Sequence, residues 1–207
     1  MAGLMHAIAL KEIGHRVYVL EKSSRDVLTS EAAGLQAGQE VQKFITKYIK
    51  DVKPYSITPA ANVIEVLNAK GSTINSIPVG NVMHLTTWNI LFDIFKSSIL
   101  DGTSSPQATY ETDKLVQGVT YDGEKVLVTF TDTTTGLSDI LKADIVIAAD
   151  GGHSTVRKSV LPQVTPKYVG YVTWRGSVPE RSVSNASREI LQDKVLIFRI
   201  GRGFAVS

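Results

Sequence analysis

The sequence predicts an α/β fold: an incomplete doubly wound parallel sheet joined to a second, mostly β region that is also incomplete. Three stretches carry that expectation. An alanine-rich segment ends at Gly14 and leads into a short apolar strand closed by an acid. Residues 54–82 scatter Pro, Gly and Asn among short apolar runs. A near-continuous apolar run at residues 143–149 ends in Asp150-Gly151.

In chain order, residues 2–13 (AGLMHAIALKEI) are rich in helix formers and apolar around most of the circumference, which predicts a helix buried between a sheet and another layer. Gly14 stops it, and Val17, Tyr18, Val19 and Leu20 form a strand before Glu21-Lys22. Residues 39–50 place Val41, Phe44, Ile45 and Tyr48 at helical spacing. Residues 62–67 and 73–78 are strand candidates within a loop-rich stretch. From Thr86, threonine caps and the stripe Trp88, Leu91, Phe92, Phe95, Ile99 predict a core helix. Strand-like runs follow at 108–112, 115–121, 126–131 and 138–142, with Asp122-Gly123 as a hairpin turn. Residues 143–149 then read as a strand buried on both faces of a parallel sheet, the same sheet that holds residues 17–20. Ser154 is placed to cap the next helix, with Arg157 in its first turn.

Composition narrows the chemistry. With 43% hydrophobic and 20% charged residues and a mean hydropathy of +0.04, the 207-residue chain has the balance of a globular protein with a substantial core. Its 22 basic and 20 acidic residues leave a net charge of +2 and no basic run, so the expected partner is a small molecule rather than nucleic acid or a membrane. The absence of cysteine excludes disulfides and thiolate nucleophiles, and His6, His15, His84 and His153 lack metal-like spacing. Redox chemistry would have to come from a cofactor. No run approaches the roughly 20 apolar residues that span a bilayer, and the expected location is cytoplasmic.

In doubly wound folds the acid ending the second strand accepts hydrogen bonds from ribose hydroxyls, about 20 residues beyond a glycine-rich turn. Glu21 follows Gly3 by eighteen positions. Gly3 therefore fits the last glycine of G-x-G-x-x-G, with the first strand and two glycines expected upstream of Met1. A helix followed by a strand is also common where the acid only marks an exit into solvent, and these residues alone leave both readings open. Asp150 and Gly151 lie where ligands gather, at the carboxyl end of a predicted strand and ahead of a helix. Asp-Gly is a frequent turn pair as well, but the apolar strand before it and S-x-V-R after it favour cofactor contact. For Arg157, phosphate contact and a surface ion pair both stay open.

Together these residues resemble the single-component FAD-dependent aromatic-ring monooxygenases. The run A-G-L-x-x-A-x-A-L-x-x-x-G-H-x-V-x-V-L-E from Ala2 to Glu21 is similar to the family's first FAD-binding segment from its last glycine onward. Asp150-Gly151 through Arg157 is similar to its D-G-x-x-S-x-V-R motif. Tyr168 through Gly176 (YVGYVTWRG) resembles the opening of the substrate domain in the 2,6-dihydroxypyridine 3-monooxygenase-like branch.

The resemblance implies a Rossmann-like FAD-binding domain at residues 1–53 and 83–163, lacking its first strand, and a partial substrate-binding domain at 54–82 and 164–207. It implies FAD as cofactor, NAD(P)H as co-substrate, and hydroxylation of an electron-rich aromatic or hydroxypyridine ring with O2. The cofactor-binding candidates are Gly3, Glu21, Asp150, Gly151 and Arg157. Tyr171 and Arg175 are the substrate-side candidates, on one strand face, with Trp174 on the other given to core packing. No side chain is expected to act as a nucleophile, because the flavin carries the chemistry. Two departures stand out: Trp88-Asn89-Ile90-Leu91 replaces the family's R-x-x-L, as in the dihydroxypyridine-like branch, and no G-D-x-x-H segment follows Arg157. The chain is thus expected to be a fragment missing both ends. A non-catalytic remnant of such a flavoprotein, or another dinucleotide-binding oxidoreductase, is the alternative.

Overall fold

The computed structural model describes residues 1–30, 34–50, 58–59, 63–78, 84–100, 108–172, 178–191, 195–200 and 203–206. In chain order the elements begin with α1 (Ala2–Glu12), β1 (Val17–Leu20), α2 (Arg25–Ser30), β2 (Gly34–Gln36), α3 (Gln39–Tyr48) and β3 (Thr58–Pro59). Then come β4 (Val63–Leu67), β5 (Thr73–Pro78), β6 (His84–Thr87), α4 (Trp88–Leu100) and β7 (Ala108–Glu111). The remainder are β8 (Lys114–Tyr121), β9 (Val126–Asp132), β10 (Ser138–Ala143), α5 (Thr155–Val160), α6 (Asn185–Leu191), β11 (Val195–Ile200) and β12 (Gly203–Val206). They fall into two compact units, Met1–Glu31 with Leu91–Trp174, and Ala32–Ile90 with Arg175–Ser207.

In the first unit β1 pairs in parallel with β7, Val17 opposite Ala108 through Leu20 opposite Glu111. Helix α1 buries Leu4, Ala7, Ile8 and Lys11 along one side, rather than all round as its composition predicts, and Ile13 just beyond it is exposed. Buried Lys11 is tolerated because its ammonium donates to the Ile99 carbonyl at 2.9 Å, at the C-terminal end of α4 where unpaired carbonyls favour a cation. Gly14 follows with φ +93°, the left-handed conformation that ends a helix without a Cβ clash. Helix α4 buries Leu91, Phe92, Phe95 and Ile99, as its apolar stripe predicts.

Strands β8, β9 and β10 form an antiparallel meander. The β8–β9 turn is the Asp-Gly turn read from sequence: the Asp122 carboxylate accepts from the amides of Glu124 and Lys125 at 3.0 and 2.7 Å, and Gly123 has φ +101°. A register shift near Gln117 leaves Gly118 facing α5, where an added methyl group would sit 3.6 Å from Ser159 Oγ.

One expectation is overturned here. Residues 145–149, expected in one parallel sheet with residues 17–20, form no strand. A strand exists by pairing its backbone, and no described strand lies beside this segment. Its side chains are correspondingly open, Ile145 at 75% and Ile147 at 42% exposure. Lys125 pairs with Asp144 and ties the head of the segment to the start of β9.

In the second unit one sheet has the order β12–β11–β4–β5, with β11 parallel to β4 and antiparallel pairs at either side. It joins residues 63–78 to the chain's last strands. A smaller sheet has the order β2–β6–β3. Helix α3 packs its apolar side through buried Ile45, and its Phe44 and Tyr48 rings stand 4.8 Å apart, one turn from each other.

Candidate functional site

The first unit gathers the cofactor candidates around the head of α1. Gly3 lies in its first turn, and a Cβ built there would stand 3.3 Å from the Cβ of Ala149, tighter than ordinary carbon contact. Close approach of the helix head to the chain beside it is what the last glycine of a dinucleotide turn provides. Ala149 is followed directly by Asp150. On the other side, the Met1 amino group at the head of α1 lies close enough to Glu21 to feel its charge.

Glu21 is held rigidly. Its amide donates to the Glu111 carbonyl at the end of β7 at 2.8 Å, and its carbonyl accepts from the Lys114 amide at the start of β8 at 2.9 Å. Side-chain alternation then puts Glu21 on the same face as Val19. Val19 is in register with Tyr110, so Tyr110 shares that face. The half-buried Glu21 carboxylate accepts from the Ser23 amide at 2.9 Å through one oxygen; its second oxygen has no hydrogen-bond partner among the described residues.

Asp150 has a different environment. One carboxylate oxygen accepts from Ser154 Oγ at 2.5 Å, the other from the amides of Thr155 and Val156 at 2.7 and 3.2 Å. Ser154 Oγ in turn accepts from the Arg157 amide at 2.9 Å, the N-cap the sequence predicts. Burial pushes the Asp150 pKa up, but hydrogen bonds from Ser154, Val156 and Thr155 outweigh it and hold the carboxyl below its usual range. A carboxylate accepts about four hydrogen bonds, so about one position is left for a ligand. Gly151 has φ +77°, a conformation that costs other residues strain. The Arg157 guanidinium donates to the Gly152 carbonyl at 2.5 Å, bracing this turn; among the described residues it makes no ion pair.

Of the substrate-side candidates only Tyr171 is described. Tyr171 lies outside any strand and is 68% exposed, so the alternation expected for it has no ladder to act through. Arg175 and Trp174 lie outside the described residues. A groove of about 450 Å³ between α2 and α4, lined by Arg25, Leu28, Phe92, Lys96 and Leu100 among others, includes none of the predicted site residues.

Sequence reading missed Tyr110. Its hydroxyl oxygen is buried without a hydrogen-bond partner among the described residues. The ring is clamped edge-on by Phe92, centroids 6.2 Å apart, and by the Lys96 ammonium 4.8 Å from its centroid. Only the β1–β7 register sets it beside Glu21, and a register between strands so far apart in the chain has no signature in either strand alone.

Tested against FAD, the arrangement fits on the adenosine side: a helix head without a Cβ, a fixed carboxylate with a free oxygen, and a buried unsatisfied hydroxyl beside it. Among the described residues no cluster of His, Cys, Asp or Glu could hold a metal, and no helix is long and apolar enough to cross a membrane.

Comparisons with known proteins agree in direction. A family model described as FAD binding domain-like matches residues 168–206. The chain is 30% identical over 199 residues to a 2,6-dihydroxypyridine 3-monooxygenase of Paenarthrobacter nicotinovorans, covering 94% of this chain and 45% of that protein. It is 29% identical over 206 residues to a 3-amino-4-hydroxybenzoate 2-monooxygenase of Streptomyces cremeus, covering 98% and 49%. The chain thus spans about half the length of the curated relatives it matches. Among solved structures, the flavin-dependent monooxygenase PieE, determined with FAD and substrate, superposes with a TM-score of 0.65 at 17% identity, over 77% of this chain and 30% of that one. A 2-methyl-3-hydroxypyridine-5-carboxylic acid oxygenase does so with a TM-score of 0.59 at 25% identity, over 77% and 39%.

Proposed function

We propose that this chain, a relative of the FAD-dependent monooxygenases, carries part of the FAD site of an enzyme that hydroxylates an electron-rich aromatic or hydroxypyridine ring with NAD(P)H and O2. The observation that carries the reading is sequence similarity to a dihydroxypyridine monooxygenase along 94% of the chain, through both compact units. The chemistry a bound flavin supplies is electron transfer from NAD(P)H and activation of O2.

The protein's part is binding and positioning. Glu21, with one oxygen free and its backbone locked into the sheet end, accepts from a ribose hydroxyl. Gly3 lets the head of α1 approach the Ala149–Asp150 backbone and the cofactor phosphates. Asp150 and Gly151 shape the turn ahead of α5, and Asp150 offers its remaining acceptor position to the flavin's polyol chain. Arg157 braces that turn. Tyr171 and Arg175 belong to the substrate side, in a region assigned to residues 54–82 and 164–207, with the FAD-binding domain at 1–53 and 83–163. The substrate is a small aromatic molecule and the location cytoplasmic.

The test is NAD(P)H oxidation and oxygen uptake by the natively expressed protein with added FAD and a panel of phenols and hydroxypyridines, with product mass followed for the gain of one oxygen atom. Ring-stimulated oxidation with that mass change is the expected result. Flavin binding without stimulation by any ring supports a non-catalytic flavoprotein, and no flavin binding overturns the reading.

A further inference from the structure

Tyr110 is the group in the first unit whose placement its own packing does not explain. Phe92 and Lys96 fix its ring, yet the hydroxyl at the tip is buried with no partner among the described residues. An unsatisfied buried hydroxyl costs about 1 to 3 kcal/mol, and phenylalanine would make the same ring contacts without it. The hydroxyl's neighbour is Glu21. Val19 is in register with Tyr110 and Glu21 lies two residues further along the chain, just past the end of β1, so the two side chains are diagonal neighbours on one face. Their charges interact: burial first and Glu21 second push the Tyr110 pKa well above the usual tyrosine range, which keeps the phenol protonated and a donor at neutral pH. They make no direct hydrogen bond, however, and Glu21 keeps one oxygen open. A protonated phenol and a carboxylate that approach without meeting are satisfied together by a group that accepts from one and donates to the other. A hydroxyl does both.

We propose that Tyr110 is a further cofactor-binding residue, and that Tyr110 and Glu21 together form a two-point clamp on a sugar hydroxyl of the dinucleotide, Tyr110 donating and Glu21 accepting. The inference rests on the reading of Glu21 as the ribose acceptor. Recognition is thereby confined to ligands with a sugar hydroxyl at this position, and a flavin lacking the adenosine half does not engage the clamp.

The experiment measures dissociation constants of the natively expressed protein, Tyr110→Phe and Glu21→Gln for FAD and for an FAD analogue lacking the adenosine 2′- and 3′-hydroxyls, by quenching of flavin fluorescence. Tyr110→Phe keeps the ring and removes an unsatisfied group, so its urea midpoint should match or exceed that of the parent. Its FAD affinity should fall roughly two- to tenfold, the contribution of one neutral hydrogen bond, with no change for the deoxy analogue. Equal affinity of Tyr110→Phe and parent for FAD, with Glu21→Gln weakened, overturns the clamp and leaves the Glu21 reading intact. Equal losses for FAD and the deoxy analogue overturn it as well, since a merely structural role does not discriminate between them. If Glu21→Gln binds FAD like the parent, or the parent does not bind FAD, the reading beneath the inference fails and the inference with it.

Discussion

Glu21 and Asp150 look alike in the sequence, each an acid closing a short apolar run, yet they end in opposite situations. Glu21 closes a paired strand: backbone bonds to Glu111 of β7 and to Lys114 of β8 fix it on both sides, and one amide from Ser23 engages its carboxylate. Asp150 closes a segment with no strand partner, and its carboxylate is taken up by three donors from the start of α5. The difference teaches that an acid at a strand end is a ligand acceptor only in proportion to the hydrogen-bonding capacity its own neighbours leave open. By that measure Glu21 is the stronger candidate for cofactor contact and Asp150 the more heavily engaged in its own turn, the reverse of the emphasis that the longer Asp150 motif suggests.

The largest expected effect sharpens that ranking. Glu21→Ala removes a charged acceptor, and a hydrogen bond to a charged group contributes about 1.5 to 3 kcal/mol, so FAD affinity should fall roughly ten- to a hundredfold, while the urea midpoint moves little because only the Ser23 amide loses a partner. Asp150→Ala should show the opposite balance: loss of the acceptor for Ser154 Oγ and the first two amides of α5 costs about 0.5 to 2 kcal/mol of stability, with a smaller change in flavin affinity. Flavin titration and urea unfolding of both variants decide the matter, and a larger affinity loss for Asp150→Ala would break the comparison.

Acid sensitivity tests the Asp150 side of the comparison. The folded-state pKa of Asp150 is depressed, so its stabilising contribution is complete above the unfolded value of about 3.9 and is lost as pH falls through the lower folded value. Below about pH 4 the parent should therefore lose stability faster than Asp150→Asn, which keeps an oxygen acceptor but carries no charge to titrate. Urea midpoints across that window for the two proteins check the sign; parallel curves would remove the carboxylate from the account of α5.

What the sequence reveals follows the range of the interactions involved. The β8–β9–β10 meander, the Asp122-Gly123 turn, the Ser154 cap and the buried stripe of α4 are set by residues within a few positions of one another, and all are legible. The helix that carries Gly3 and the strand that leads to Glu21 are legible because each is a short local run of residues. The strand expected at residues 145–149 is not realised because apolar character specifies burial and only a neighbouring strand specifies pairing. Tyr110 and Lys11 were invisible for the same reason: a hydroxyl beside Glu21 and an ammonium on the Ile99 carbonyl are products of contacts almost ninety residues apart.

The smallest expected effect tests how firmly the two strand ends are held. In Gly3→Ala the new methyl group would stand 3.3 Å from the Ala149 Cβ, a few tenths of an ångström closer than ordinary contact. Alanine in place of glycine favours the helix by up to about 1 kcal/mol. The sign of the result depends on whether Ala149 can yield. Its segment is exposed and no sheet hydrogen bonds restrain residues 145–149, whereas the same clash against the β1–β7 ladder would displace paired backbone. Gly3→Ala should therefore be neutral to stabilising, within about 1 kcal/mol, by urea unfolding. A destabilisation beyond about 1 kcal/mol would mean that residues 145–149 are held as rigidly as β1, and that the contrast between Glu21 and Asp150 arises from their hydrogen-bond donors alone and not from the strands that carry them.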